Sequence, residues 1–179
     1  MMQEKMEQEQ AKRPHRRALI INALEAMFNE LTKPKEESGF PIQVKTVQKR
    51  FVHWTALDQQ DALPAILLTY GDGGSAPDSD VVGYIDEQFP IAVTAVLKEA
   101  PGLKELTEQA SDIHYSLGQL INGNPMLAHP TDCELSPEGI NPERTRIVSW
   151  RGSEGSISKF EIIRFRVVVV HRYHANENV

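Results

Sequence analysis

Two segments of the chain carry apolar residues at the spacing of an amphipathic helix. Within residues 16–33 these positions recur three and four residues apart, at Leu19, Ile20, Ala23, Leu24, Met27, Phe28 and Leu31. Within residues 102–121 they recur in the same way, at Leu103, Leu106, Ala110, Ile113, Leu117 and Leu120. Side chains at this spacing share one face of a helix, so the pattern predicts two helices with one buried face each.

Three other segments have the pattern of strands. Residues 65–70 are a short apolar run that directly follows Pro64. Residues 84–97 and 159–173 alternate apolar with other positions, which is typical of half-buried strands. The apolar positions are Phe89, Ile91, Val93, Ala95 and Leu97 in the first, and Ile163, Phe165, Val167 and Val169 in the second. Pro90 lacks a backbone donor, which predicts a sheet edge or a bulge at that point.

Two further segments are predicted to be extended. In residues 41–54 the apolar positions change parity near Thr46, which predicts a bulge because one extra residue reverses the facing of all that follow. Residues 144–151 predict a strand. The glycines and serines of residues 152–156 predict a turn between that strand and the last one.

The remaining segments are polar or rich in turn residues. Residues 1–15 predict a polar arm, with an acidic start and a basic cluster that begins at Lys12. Residues 71–83 predict a glycine-containing hairpin loop, and residues 122–143 a proline-rich loop. One folded domain is therefore expected over 16–173, with a short tail at 174–179.

The elements occur in the order α-β-β-β-α-β-β. Two amphipathic helices need an apolar surface to cover, and alternating strands supply one on a single face of a sheet. The expected fold class is α+β, with two helices packed in one layer on a mostly antiparallel or mixed sheet.

Composition and charge narrow the functional classes. The chain has 179 residues and a net charge of -6 at pH 7. This balance argues against a general duplex-DNA binder, which is usually basic, but it is compatible with a protein that DNA passes. The single cysteine, Cys133, excludes an intrachain disulfide framework. The longest apolar runs are shorter than the roughly 18 residues that a membrane helix needs, and the start of the chain has no secretory apolar region.

Motifs that carry chemistry are weak in this sequence. It contains no P-loop, GxGxxG, HExxH, GxSxG or CxxC motif. His129 and Cys133 lie close in sequence, which leaves open a small intracellular enzyme with a cysteine nucleophile. His171 and His174 are three residues apart in a strand and therefore point to opposite faces, which does not favour a metal site. We therefore expect no catalytic residue, cofactor or metal.

The placement of charge is more informative. Residues 71–90 contain five acidic residues and no lysine or arginine, whereas residues 144–172 contain seven basic residues against Glu154 and Glu161. Unlike patches on one chain favour a head-to-tail contact between copies, which can close into a ring. Ordinary solvated charge explains the same pattern equally well. The residues expected at such a contact are Arg50, Asp72, Asp78, Asp80, Arg164 and Arg166.

The order of these segments resembles the tail terminator, or tail completion, proteins of tailed bacteriophages. The matching stretches are RRALIINALEAMFNEL, KTVQKRFVHW, DALPAILLTYGD, FPIAVTAVLK, DIHYSLGQLI and FRVVVVHRY. They extend over about residues 16–173. Each stretch is short and none is catalytic, so the resemblance depends on their order and spacing.

The resemblance implies a structural virion protein rather than an enzyme. It implies a ring of six copies that caps the tail tube, ends tube polymerisation and provides the docking surface for the neck and head. The expected partners are other copies of the chain, the tail tube protein and a neck or head completion protein, with a sheath contact left open. DNA would pass through the channel only in transit, and no membrane is involved. A different head–tail joining protein of similar fold is the alternative within the same class.

Overall fold

The computed structural model describes residues 16–71, 77–78, 84–99, 105–124, 127, 145–157 and 159–174. The expected arm at 1–15, most of the loops at 71–83 and 122–143, and nearly all of the tail at 174–179 lie outside these residues. His129 and Cys133 also lie outside them.

The two long helices form where the apolar spacing predicted them. Helix α1 spans Arg16–Asn29 and continues as a 3-10 turn over Glu30–Thr32. The later long helix, α4, spans Leu106–Gly123. Two short helices were not predicted: α2 at Lys35–Ser38 and α3 at Trp54–Gln59.

The strands form one mixed sheet. Their order is β1 (Thr46–Gln48), β2 (Ala65–Tyr70), β4 (Tyr84–Lys98), β6 (Phe160–His174) and β5 (Thr145–Ile157), and β3 (Pro77–Asp78) pairs with β4. Strand β1 is parallel to β2, and the other neighbours are antiparallel. The α+β fold with a mixed sheet is confirmed.

One face of the sheet carries the main core. The alternating apolar residues of β4 and β6 point to this face, where Ile91, Val93 and Phe165 are at most 1% exposed. Helices α1 and α4 cover it with Leu24, Phe28, Ile113 and Leu117 among others. Burying such side chains contributes roughly 1.5–3 kcal/mol each, so this face accounts for most of the hydrophobic stabilisation.

The opposite face has a smaller cover at one end, which the two-layer expectation did not include. Helix α3 and the turn after it place Leu57 and Leu63 against Ala65, Leu67 and Val96, with Phe160 completing the cluster. Helix α3 begins after His53, whose ring accepts a hydrogen bond from the backbone N–H of Thr55. This capping contact explains why the segment expected to be extended over 41–54 gives way to a helix at Trp54.

The strand pairing corrects the other predictions for residues 41–54. Strand β1 pairs with β2 without a register shift, from Thr46 opposite Ala65 to Gln48 opposite Leu67, so the bulge expected near Thr46 is not present in the paired residues. A register shift occurs instead in β5, between Ile147 and Ser149.

The turn expected at residues 152–156 is wrong, because these residues continue β5 to Ile157. Gly152 has a different role: a Cβ there would lie 3.0 Å from the rings of His114 and Phe165. Gly118 on α4 similarly faces Trp150 at 3.3 Å. The glycines therefore allow α4 to pack closely on β5, and the chain turns only between Ile157 and Phe160.

Pro90 lies where β2 ends. The N–H of Gly71, the residue after β2, donates to the carbonyl of Pro90 at 2.9 Å. In an antiparallel pair, the backbone N and O of one residue face the same neighbouring strand. The missing donor of Pro90 therefore faces the end of β2. The pairing of β4 with β6 continues through Pro90 opposite Val168 to Tyr84 opposite His174.

Candidate subunit-contact surface

Arg164 and Arg166 are both exposed and lie on the face of the sheet opposite the main core. In register, Arg164 lies between Thr94 of β4 and Ser153 of β5, and Arg166 between Ala92 and Arg151. Their neighbours along the strand, Phe165 and Val167, point into the core. The alternation of β6 therefore places both guanidinium groups in solvent on one surface.

Toward β4 and along β6, the surface around the two arginines, its floor, consists of short or half-buried side chains. Thr69, Ala92, Thr94 and Val168 occupy neighbouring positions on the same face, and each is half-buried. The two arginines rise above this floor because their side chains are much longer. We call this surface, formed by Arg164, Arg166 and these four residues, the open face.

The cover formed by α3 borders the open face. Ile162, two residues before Arg164, is 5% exposed, and its register partner Val96 is 1% exposed. The face thus changes from covered to open within two residues of β6. A partner that contacts the arginines must approach beside α3 and not across the whole sheet.

An ion cluster holds α3 on the sheet. The carboxylate of Asp58 pairs with Lys159 at 2.7 Å and with Lys98 on its other oxygen. Hydrogen bonds from Lys159 and then Lys98 lower the pKa of Asp58 below its usual value of 3.8. In the adjoining turn, a hydrogen bond from Lys45 at 2.7 Å lowers the pKa of Asp61.

Arg50 is not close to the two arginines of the open face. It is exposed after the end of β1, and its Nε donates to Oε1 of Gln48 at 3.3 Å. Gln48 and Arg164 belong to one row across the sheet, through Leu67 and Thr94. Three strand spacings separate their backbones, which is about 14 Å.

The expected acidic counterparts lie at the far end of the sheet or outside the described residues. Asp78 belongs to β3, and its backbone pairs with Asp86 of β4. Thr94, the partner of Arg164, is eight residues further along β4, a distance of roughly 26 Å. The backbone of Asp78 is thus remote from the arginines of its own chain. Asp72 and Asp80 are not among the described residues.

Other candidate chemistry receives little support within the described residues. His171 is 8% exposed, and no group of three or more His, Cys, Asp or Glu side chains in the described part could hold a metal ion. A cleft of about 490 Å³ between the 3-10 turn and α4 is lined by Lys35, Lys45 and Asp112, together with apolar residues that include Ile42 and Val44. None of the described residues that line the cleft is a histidine or a cysteine. No described helix is long and apolar enough to span a membrane.

The chain was compared with known proteins. No protein-family model matches it, and the comparison with curated proteins finds no significant match.

The sequence identified the two arginines but not the surroundings that define their surface. The short floor residues are the ordinary alternate positions of their strands, and nothing in their spacing distinguishes them. Asp58 and Lys159 are far apart in sequence, so no local pattern connects them. The turn residues around Pro64 and the capping position of His53 were the only available signals for α3.

Proposed function

We propose that this protein is a structural component of a phage tail. It assembles as a closed ring that caps the tail tube, ends its polymerisation and presents a surface to the neck. DNA passes through the ring in transit, and no residue of the chain carries out covalent chemistry. The proposal places the protein in the virion after assembly in the host.

The observation that carries the proposal is the open face with its two exposed arginines. Along the strand direction, the backbone of Asp78 on the same chain lies roughly 20 Å from the row of Arg166 and roughly 26 Å from the row of Arg164. Opposite charges this far apart on a rigid sheet cannot neutralise each other within one copy. They can do so between copies that are related by a rotation, which is a head-to-tail contact. Repetition of that contact closes a ring when the rotation permits.

Each ion pair at the proposed contact contributes little binding free energy by itself, but a ring contains the same pair at every subunit boundary. An exposed ion pair contributes only about 0–1 kcal/mol. A ring repeats the same pair at every boundary, so the loss of one arginine weakens every contact at once. The family resemblance adds the expectation of six copies, and the fold, two helices on one side of a sheet, is compatible with it.

Sedimentation of the full chain, alone and with the tail-tube subunit of the same virus, tests this proposal. We expect a species of about 120 kDa, six times the 20.1 kDa of one chain, and tubes that stop growing when it is added. A chain that stays monomeric in both conditions and leaves tube length unchanged would refute the proposal.

The variant that tests the surface is Arg164→Glu with Arg166→Glu. Both side chains are exposed, so the fold should be kept while ring formation or tube capping is lost. The matched control is Lys33→Glu with Lys35→Glu, which makes the same change in charge near α2, away from the open face. Equal loss in both variants would mean that net charge and not the open face is responsible.

A further inference from the structure

Strand β5 forms one edge of the sheet. It pairs with β6 on one side, and among the described residues no strand pairs with its other side. After the register shift that follows Ile147, residues 149–157 continue without a further shift, and we call them the straight part of β5. Ser149, Gly155 and Ile157 in this part are exposed. An open edge of this length offers a row of backbone N–H and C=O groups to another strand.

The backbone of Pro90 determines which amides of β5 point to this open edge. The carbonyl of Pro90 faces the end of β2, so its register partner Val168 directs its own N–H and C=O away from β4 and toward β5. Val168 lies opposite Ser149, and the direction of these groups alternates from one residue to the next. The residues of the straight part whose N–H and C=O point to the open edge are therefore Trp150, Gly152, Glu154 and Ser156.

The backbone of the straight part is complementary to the same segment of a second copy. In an antiparallel pair, two residues exchange hydrogen bonds only if both point to the shared edge. The whole straight part overlaps with itself only when Ser153 of one copy faces Ser153 of the other. Trp150 then faces Ser156, and Gly152 faces Glu154, so every residue that points to the edge meets another such residue. This register allows about eight backbone hydrogen bonds between the two copies.

The charged residues of the straight part favour the same register. Arg151 then lies opposite Gly155 of the other copy, and Glu154 lies opposite Gly152, so no charged residue faces a like charge. A pair centred on Arg151 or on Glu154 would instead place the same charged residue of both copies directly opposite each other, which is unfavourable. Strand β1, at the other edge of the sheet, has only 3 residues and is a much shorter template. Length, backbone direction and charge therefore all favour a second copy of β5 as the occupant of this edge.

We propose that the straight part of β5 pairs antiparallel with the straight part of β5 in a second copy, centred on Ser153, and joins the two sheets into one. This is a twofold contact, which is complete with two copies. It goes beyond the proposed function and does not depend on it, because it uses the edge of the sheet and neither Arg164 nor Arg166 of the open face.

Hydrogen exchange of single amides, followed by NMR on the full chain at several protein concentrations, tests the contact. The amides of Gly152, Glu154 and Ser156 should exchange about tenfold more slowly at about 1 mM than at about 10 μM, because a second copy binds them only at high concentration. The amides of Ser153 and Gly155 face β6 and should be protected equally at both concentrations. Slow exchange of the first group at every concentration would mean that the chain covers its own edge, and fast exchange at every concentration would mean that the edge stays open. Either result would overturn the proposal.

Two substitutions at one position test the register. Nothing lies within 4 Å of a Cβ at Gly155, so a side chain there should leave the fold intact. In the proposed pair this position lies opposite Arg151 of the other copy. Gly155→Lys should therefore raise the concentration that gives half-maximal protection about fivefold, and Gly155→Glu should lower it by a similar factor.

Net charge alone predicts the reverse order for these two variants, because the chain already carries a charge of -6 and a further acidic residue increases the repulsion between copies. Equal shifts, or the order that net charge predicts, would overturn the proposed contact. Neither measurement depends on ring formation or on tube capping, so the two proposals fail separately.

Discussion

The two faces of the sheet differ in their contribution to folding: one forms the main core, and the other is partly exposed to solvent. On the core face, β4 and β6 place an apolar residue at every second position over 89–97 and 163–169, and these residues pack in one buried cluster with residues of α1 and α4. On the other face the same strands carry Thr94, Ala92, Arg164 and Arg166 at the intervening positions. One pair of strands thus supplies both a core and an exposed charged surface, because successive side chains point in opposite directions.

The comparison indicates where substitutions should act on folding and where on assembly. A change on the core face removes packing that the whole domain shares. A change on the open face removes only solvated charge and short side chains.

Truncation of Phe165 should have the largest effect. Its ring is 1% exposed and lies between His114, at 4.7 Å between ring centroids, and Trp150, at 5.9 Å. Phe165→Ala should lower the free energy of unfolding by about 3–5 kcal/mol, because the cavity cannot close against a helix and two strands. Urea denaturation followed by circular dichroism measures it. A loss below about 1 kcal/mol would show that α4 does not pack as described.

A methyl group at Gly152 should have the next largest effect. The new Cβ would lie 3.0 Å from the rings of His114 and Phe165, so α4 must move away from β5. Gly152→Ala should lower the free energy of unfolding by about 1–3 kcal/mol. Gly155→Ala, in the same strand, is the matched control, since nothing lies within 4 Å of its Cβ position. Equal effects at both positions would contradict the close packing of α4 on β5.

Loss of the carboxylate at Asp58 should loosen the cover at the border of the open face. Asp58→Asn removes the pairing with Lys159 and Lys98, so the variant should be less stable than the parent protein at neutral pH. The pKa of Asp58 is lowered in the folded state, so its contribution is complete above its usual value of 3.8 and is lost as pH falls through the lower folded value.

The difference between parent and variant should therefore shrink as the pH is taken below about 3.8, which thermal unfolding at a series of pH values measures. A pH-independent difference would mean that the amide disturbs packing and that the charge is not responsible.

Truncation of the two arginines should have the smallest effect on stability. Arg164→Ala with Arg166→Ala should change the free energy of unfolding by less than about 0.5 kcal/mol per site, since both side chains are exposed. Sedimentation should nevertheless show weaker self-association than for Lys33→Ala with Lys35→Ala. Destabilisation comparable to that of Phe165→Ala would place the arginines in the folded core and remove the contrast between the two faces.

The features of this protein that could be predicted from the sequence are those that follow from the spacing of apolar residues within one element. The helical spacing in α1 and α4 and the alternation in β4 and β6 were sufficient to define the elements and the core face. The alternation also assigned Arg164 and Arg166 to the opposite face. Each of these inferences needs only neighbouring residues, because the direction of a side chain follows from the period of its own element.

The two failures have different causes. Gly152 lies in a segment with the composition of a turn, yet β5 continues through it where His114 of α4 packs against the strand, so a tertiary contact overrides a weak local preference. His53 lies in a segment with apolar alternation, yet its ring accepts a hydrogen bond from the backbone N–H of Thr55, two residues further on, and caps α3. That contact is local, and the alternation favoured the competing extended structure.

The sequence by itself determined the class of fold, the core face and the position of two arginines on the other face, because burial of apolar surface dominates folding and repeats with the period of each element. Only the tertiary structure decided that α3 covers one end of that second face, that Arg50 follows an edge strand three strand spacings from β6 and that Asp78 lies at the opposite end of the sheet. These relations depend on strand order and register, which bring together residues that are far apart in the chain and leave no periodic trace in the sequence.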